Sequence, residues 1–120
     1  MTGRTRITIG QAGFEEAAAA FLDTWHRAAS GEAVAPQRIL TFESLEAMAS
    51  VLTPERMRLL KHVRQHPARS IRALSQELQR DYRRVHGDVV ALENAGLLER
   101  SAAGLQATAD RLTVDVDLVA

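Results

Sequence analysis

The sequence predicts an α+β fold, and three observations carry that reading. Short runs of strictly alternating residues occur, as where Leu112, Val114, Val116 and Leu118 alternate with Thr113, Asp115, Asp117 and Val119; this is the pattern of a strand with one apolar face. Other segments repeat their apolar residues at three- and four-residue steps, as amphipathic helices do. Capping and turn residues separate these segments at short intervals. With 120 residues, 46% of them hydrophobic and 25% charged, the chain can bury a real core.

The elements follow in order. Arg4 to Gly10 reads as a strand, with Ile7 and Ile9 on one side and Thr8 opposite. Gln11 to Ser30 reads as a helix whose stripe runs through Phe14, Ala18, Phe21 or Leu22, Trp25 and Ala29, with Glu15 and Glu16 complementing the dipole in its first turn. Ser30-Gly31 closes it, and Glu32 to Gln37, with Pro36, is a loop. Arg38 to Phe42 is a second short strand, and Ser44 caps a short helix through Val51. Thr53 caps the next helix, with Pro54 at its first position and Met57, Leu60 and Val63 facing inward, as far as His66 and Pro67. Ser70 caps a helix carrying Ile71, Leu74 and Leu78. Gln79-Arg80 is a tight connection. Asp81 caps a third helix, docked through Val85, Val89 and Leu92 and ended by Gly96. Leu97 to Ser101 and Leu105 to Thr108 form a hairpin around Ala102-Ala103-Gly104, and Leu112 to Leu118 is the last strand.

Helix, short turn, helix and hairpin is the order of a winged helix-turn-helix. The predicted architecture is therefore an α+β winged helix-turn-helix at 53–109. An N-terminal strand-helix-strand-helix extension, 1–52, serves dimerisation or a partner, and a C-terminal strand occupies 110–120.

Charge supports this division. The net charge is zero, yet residues 1–53 carry four basic and six acidic side chains, residues 54–100 ten and six, and residues 101–120 one and three. Nine basic residues between Arg56 and Arg84 face only Glu77 and Asp81. A neutral chain with one basic block offers phosphates a local patch. In a winged helix the second helix of the pair enters the major groove and the hairpin touches the flanking backbone. The residues that project from that helix here are Tyr82, Arg83, Arg84, His86 and Gly87. Arginine reads guanine bidentately or grips phosphate, while Tyr and His donate to phosphates. Gly87 allows close backbone approach, or is simply tolerated in the helix. Arg64, Arg69 and Arg72 flank the backbone or are surface charges, and Arg100 contacts phosphate from the base of the wing. Asp88 and Glu93 face Arg84, Arg80 or solvent, since carboxylates repel phosphates.

The stretch from Leu52 to Arg100 resembles MarR- and ArsR-like winged helices. Within that group it is most similar to a prokaryotic set of DNA-binding transcriptional regulators that share a recognition segment. The matching residues are Asp81, Tyr82, Val85, His86, Asp88, Val89, Leu92, Glu93, Gly96 and Leu97, and the segments 38–44 and 112–118 also fit that set's pattern. The resemblance implies a winged-helix fold and DNA binding. Gly87 departs from it, standing where a basic or larger polar residue is expected.

Other classes find little support. The chain has no cysteine, which removes thiol catalysis and cysteine-based metal sites. His62 and His66 have metal-ligand spacing but no Glu between them and no Cys elsewhere, so they read as surface histidines and no metal or cofactor is expected. No Gly-rich phosphate loop, GxSxG or HExxH motif is present, so no enzyme activity is expected. No apolar run approaches the ~20 residues of a membrane span, and no secretory signal is read at the N-terminus, so a cytoplasmic location is expected.

The expected function is a sequence-specific transcriptional regulator, a repressor acting by occupancy of double-stranded DNA. The strands at the two ends are expected to form a sheet covered on one face by the helix carrying Phe14, Phe21 and Trp25, and the expected assembly is a homodimer held by its ends, with the open edges of that sheet covered by a two-fold partner. The alternative is an antitoxin-like module that neutralises a toxin-like protein partner.

Overall fold

The structure, a computed structural model, describes residues 3–32, 37–116 and 118, with the side chains of 11–14, 16, 17 and 37 outside that description. Pro36, Asp117 and the side chain of Phe14, all used in the sequence reading, lie outside the described residues. The fold is mixed α+β, in the order β1 (Arg4–Ile9), α1 (Gly10–Ala29), β2 (Gln37–Phe42), α2 (Leu45–Val51), α3 (Pro54–Gln65), α4 (Ile71–Leu78), α5 (Tyr82–Asn94), β3 (Leu98–Ser101), β4 (Gly104–Ala107) and β5 (Arg111–Asp115). Two compact units divide the chain, Met1–Met48 with Arg111–Ala120 and Ala49–Asp110. Among the described residues no helix is long and apolar enough to cross a membrane.

The first unit holds a parallel sheet in the order β2-β1-β5, with α1 as the crossover between β1 and β2. Ile7 pairs in register with Leu40 on one side and Val114 on the other. The one-sided reading of β1 is corrected: Thr8 is buried along with Thr5 and Ile7, because a central parallel strand is covered on both faces. The Thr8 hydroxyl is satisfied there by Thr41, its register partner, at 2.9 Å. On the same strand Arg6 reaches Asp115 of β5 at 3.3 Å.

Two expectations for α1 also change. The helix starts at Gly10 and has no acidic residue in its first turn, so Glu15 and Glu16 lie beyond the turn where the dipole would favour them. Its aromatic stripe does not cover the sheet: Phe21, Leu22 and Trp25 are exposed, whereas Ala20 and Thr24 are half-buried. The helix thus turns small residues inward. At its end Arg27 donates to Glu32 at 2.8 Å and 3.1 Å, a contact that raises the guanidinium pKa and holds the Glu32 carboxyl below its ordinary range.

The second unit packs α3, α4 and α5 with the β3–β4 hairpin around Leu59, Val63, Leu74, Val85, Val89, Leu92, Leu97 and Leu105, all at most 2% exposed. Burial of each contributes about 1.5–3 kcal/mol. The predicted caps form. Thr53 accepts from Arg56 N, Ser70 from Ala73 N and Asp81 from Arg84 N. In α3 the inward set is Leu59, Leu60 and Val63, while Met57 is only half-buried; a wide apolar stripe does not identify its central residue. The α4–α5 turn passes through Gln79 in left-handed geometry, φ 53°.

Two contacts set the shape of this unit. Asp88 of α5, 15% exposed at its side chain, accepts from Arg56 of α3 at 3.1 Å and from Arg80 of the turn at 2.8 Å. Arg56 continues to the Val51 carbonyl at 2.9 Å. The other contact joins Ala68, between α3 and α4, to Leu105 of β4 by two backbone hydrogen bonds, at 2.7 Å and 3.3 Å. Gly104 makes it possible: at φ +118° its backbone lies so close that a Cβ would stand 2.1 Å from the Ala68 carbonyl oxygen.

Both contacts are open to test by denaturant unfolding followed by circular dichroism. Asp88→Ala leaves two partly buried guanidinium groups without their shared acceptor, and a loss of about 2 kcal/mol is expected after allowance for residual solvent. Gly104→Ala combines a disfavoured φ with a backbone clash, and a loss of about 3 kcal/mol or more is expected. A change under ~0.5 kcal/mol in either variant, the level of an ordinary surface substitution, would show that the contact does not constrain the fold.

Candidate nucleic-acid interface

The Ala49–Asp110 unit sorts its arginines into two sets. Arg56 and Arg80 share Asp88, Arg58 pairs with Glu55, Arg64 with Asp110, and Arg100 with Glu93. The remaining four, Arg69, Arg72, Arg83 and Arg84, form no ion pair among the described residues. All four are exposed. They sit just before α4, on its first turn, and on the first turn of α5.

The local sequence explains these positions. Val85, Val89 and Leu92 are fully buried and dock α5 by one side. At 3.6 residues per turn, Arg83 and Gly87 then fall opposite that stripe, one turn apart. Arg84 and His86 flank this outer line, while Tyr82 lies nearer the docked side, and all three are exposed. Tyr82 is 41% exposed and is held between two neighbours: the Arg72 guanidinium lies 5.1 Å from its ring centroid and the His86 ring 6.0 Å away. A cation over the ring face orients both groups while leaving the N–H donors of Arg72 open.

Arg69, Arg72, Tyr82 and Arg100 are brought together around one cleft of about 340 Å³, between the start of α4, the start of α5 and the hairpin. Ser70, Ser101 and Gly104 also line it. The sequence reading missed the two serines as lining residues. The N-cap role of Ser70 was its one legible signal, since a cap places the residue at the positive end of a helix dipole. Three guanidinium groups, the hydroxyls of Ser70, Ser101 and Tyr82, and that helix end converge there. Such a set accepts anionic oxygen, phosphate above all.

Arg100 is held differently from the others. Its guanidinium makes a two-point contact with Glu93 at 2.8 Å and 2.9 Å, and this hydrogen bonding keeps its pKa above the ordinary arginine value. It lines the cleft with its charge already compensated. Asp88, expected near Arg84, Arg80 or solvent, faces Arg80 and Arg56 instead of the outer surface. His62 makes its polar contact with Glu77 at 3.1 Å and lies tilted against His66, ring centroids 5.2 Å apart. Among the described residues no three His, Cys, Asp or Glu side chains converge in a metal-ligand group.

Comparison with known proteins gives one positive result. No curated protein and no solved structure matches the chain. Residues 51–119 match the model of a family described as HVO_A0114. That stretch takes in the whole cap–helix–turn–helix–hairpin run just described and continues through β5. As it covers more than half of the 120 residues, the chain belongs to the HVO_A0114 family.

Proposed function

We propose that this protein is a double-stranded-DNA-binding transcriptional regulator in which the Ala49–Asp110 unit serves as a winged helix-turn-helix. The observation that carries this reading is the sorting of arginines. Five are neutralised by carboxylates within the unit, and the four left uncompensated border the start of α4 and the start of α5. All four uncompensated arginines fall at the starts of these two helices, a grouping that a merely solvated charged face does not require.

In this reading α5 enters the major groove by its exposed first two turns. Arg83 lies on the outermost line and reads a base edge, guanine above all, through two N–H donors. Arg84 and His86 reach to either side. Gly87, one turn along that line, lets the helix backbone sit close to the bases. The cleft formed by Arg69, Ser70, Arg72, Tyr82 and Ser101 takes a backbone phosphate, with Arg100 exchanging part of its bond to Glu93 for the phosphate oxygens. Occupancy of a promoter by such a unit blocks transcription, which makes repression the simplest outcome. The rival reading, an antitoxin-like module, draws its support from the apolar residues exposed in the other unit rather than from this surface.

Selection from a random DNA pool tests the proposal directly, and an enriched motif is expected. Against that motif Arg83→Ala is expected to weaken binding by about 1–3 kcal/mol and to relax preference at one base pair. Arg72→Ala is expected to weaken binding to all sequences alike and to reduce the salt slope by about 1. Failure to recover a motif, together with unchanged binding in both variants, would remove DNA from the reading. Gly87→Ala separates fold from function. A Cβ at Gly87 meets nothing within 4 Å in the free protein, so the variant is expected to be more stable by up to ~1 kcal/mol. Its affinity for the selected DNA is expected to fall. A stabilised variant with unchanged affinity would show that α5 does not approach DNA at this turn.

A further inference from the structure

Among the described residues, the large apolar side chains left in solvent concentrate in the unit of 1–48 and 111–120. Phe21 is 65%, Leu22 55% and Trp25 63% exposed. Between Ala18 and Ala29 only Ala20 and Thr24 are even half-buried. At 1.5 Å per residue the twenty residues of α1 span about 30 Å, whereas the six residues of β1 or β2 span only about 20 Å. Its later turns therefore carry an apolar stripe with nothing of its own unit to cover it. Phe21, Leu22 and Trp25 together present roughly 400 Å² of surface, within the range of the largest apolar patch on a single chain, a patch that is often functional.

We propose that α1 is a self-association helix, and that its occupant is the α1 of a second copy lying antiparallel across a two-fold axis near residues 21 and 22. Two properties of the stripe select this partner and this direction. The first is size. An antiparallel register about that axis sets Ala18 opposite the partner's Trp25 and Leu22 opposite the partner's Phe21, so that the largest side chain meets the smallest. A parallel pair would oppose Trp25 to the partner's Trp25 and Ala18 to the partner's Ala18, leaving overlap at one level and a void at the other. The second is charge. Glu15 is exposed in the first half of α1 and His26 is exposed in its last turn, and the helical repeat places both on the same flank of the stripe. Antiparallel pairing brings Glu15 within reach of the partner's His26 and aligns the helix dipoles favourably. A parallel two-fold pair sends this flank to opposite sides of the contact and leaves Glu15 out of reach of the partner's His26. Both features satisfy the isologous rule that one patch must complement itself.

The chain supplies its own probes, because Trp25 is its only tryptophan and it has no cysteine. Light scattering on the 120-residue chain is expected to give a dimer. On dilution its tryptophan emission is expected to move to the red as Trp25 returns to water. Phe21→Glu, on an exposed position, is expected to keep the circular dichroism spectrum and to be monomeric where the unsubstituted chain is dimeric. Under oxidation Leu22→Cys, beside the axis, is expected to form a covalent dimer. Ala29→Cys is expected to stay a single chain, since its two copies lie about 20 Å apart in the antiparallel pair, well beyond the Cα separation a disulfide spans. A monomeric unsubstituted chain overturns the proposal, as does a dimer that survives Phe21→Glu with unchanged Trp25 emission, which would place the contact on the sheet edges. Cross-linking of Ala29→Cys would overturn the antiparallel direction.

Discussion

The carboxylate of Asp88 is the point on which the Ala49–Asp110 unit depends. One group on α5 accepts from Arg56 on α3 and from Arg80 in the α4–α5 turn, so three segments far apart in sequence share one acceptor. Apolar burial of Val85, Val89 and Leu92 sets which side of α5 faces inward, but apolar contacts are non-directional and leave rotation about the axis loosely determined. A charged acceptor gripped by two guanidinium groups supplies the missing direction. Arg56 carries the same constraint on to the carbonyl of Val51, where α2 ends.

The contact has an electrostatic consequence as well. An acidic residue on the outer face of α5 would lower the positive potential there. Here the Asp88 charge is spent inward, on two arginines that would otherwise add to the outer surface. The negative charge of Glu93 is compensated in the same manner by Arg100. What remains facing solvent at the start of α5 is the capping Asp81 with Arg83 and Arg84, whose guanidinium groups form no ion pair among the described residues. Net charge near zero for the whole chain is therefore compatible with a locally positive face, because attraction to a polyanion decays within about 10 Å at moderate salt and depends on nearby charge alone.

Much of this was legible in the sequence because it is written in short-range signals. Thr53, Ser70 and Asp81 each satisfy backbone donors within three residues, and Gly96 ends α5, so helix boundaries could be read locally. The apolar stripe of α5 was readable for the same reason. Contacts between distant residues were not. The pairing of Arg56 with Asp88 spans 32 positions and that of Ala68 with Leu105 spans 37, and neither leaves a local trace. Thr5 and Thr8 look polar in a strand, yet lie buried because β1 is flanked on both sides by strands from remote parts of the chain. The exposed residues on the first two turns of α5 could be named from the helical repeat. The compensation of Arg100 by Glu93 could not, since it depends on a hairpin folding back towards the helix that precedes it.

The aromatic stripe of α1 shows where periodicity stops carrying information. A repeat of apolar residues states that one side of a helix avoids water; it does not state what excludes the water. The sequence reading assigned that task to the sheet, whereas the half-buried residues of the later turns are Ala20 and Thr24. Small side chains let a helix approach strands closely. That arrangement serves a crossover helix well, and it leaves the larger residues pointing elsewhere. A twenty-residue helix over six-residue strands is longer than the crossover requires. The surplus length leaves Phe21, Leu22 and Trp25 exposed, and the hydrophobic effect favours any contact that removes them from water.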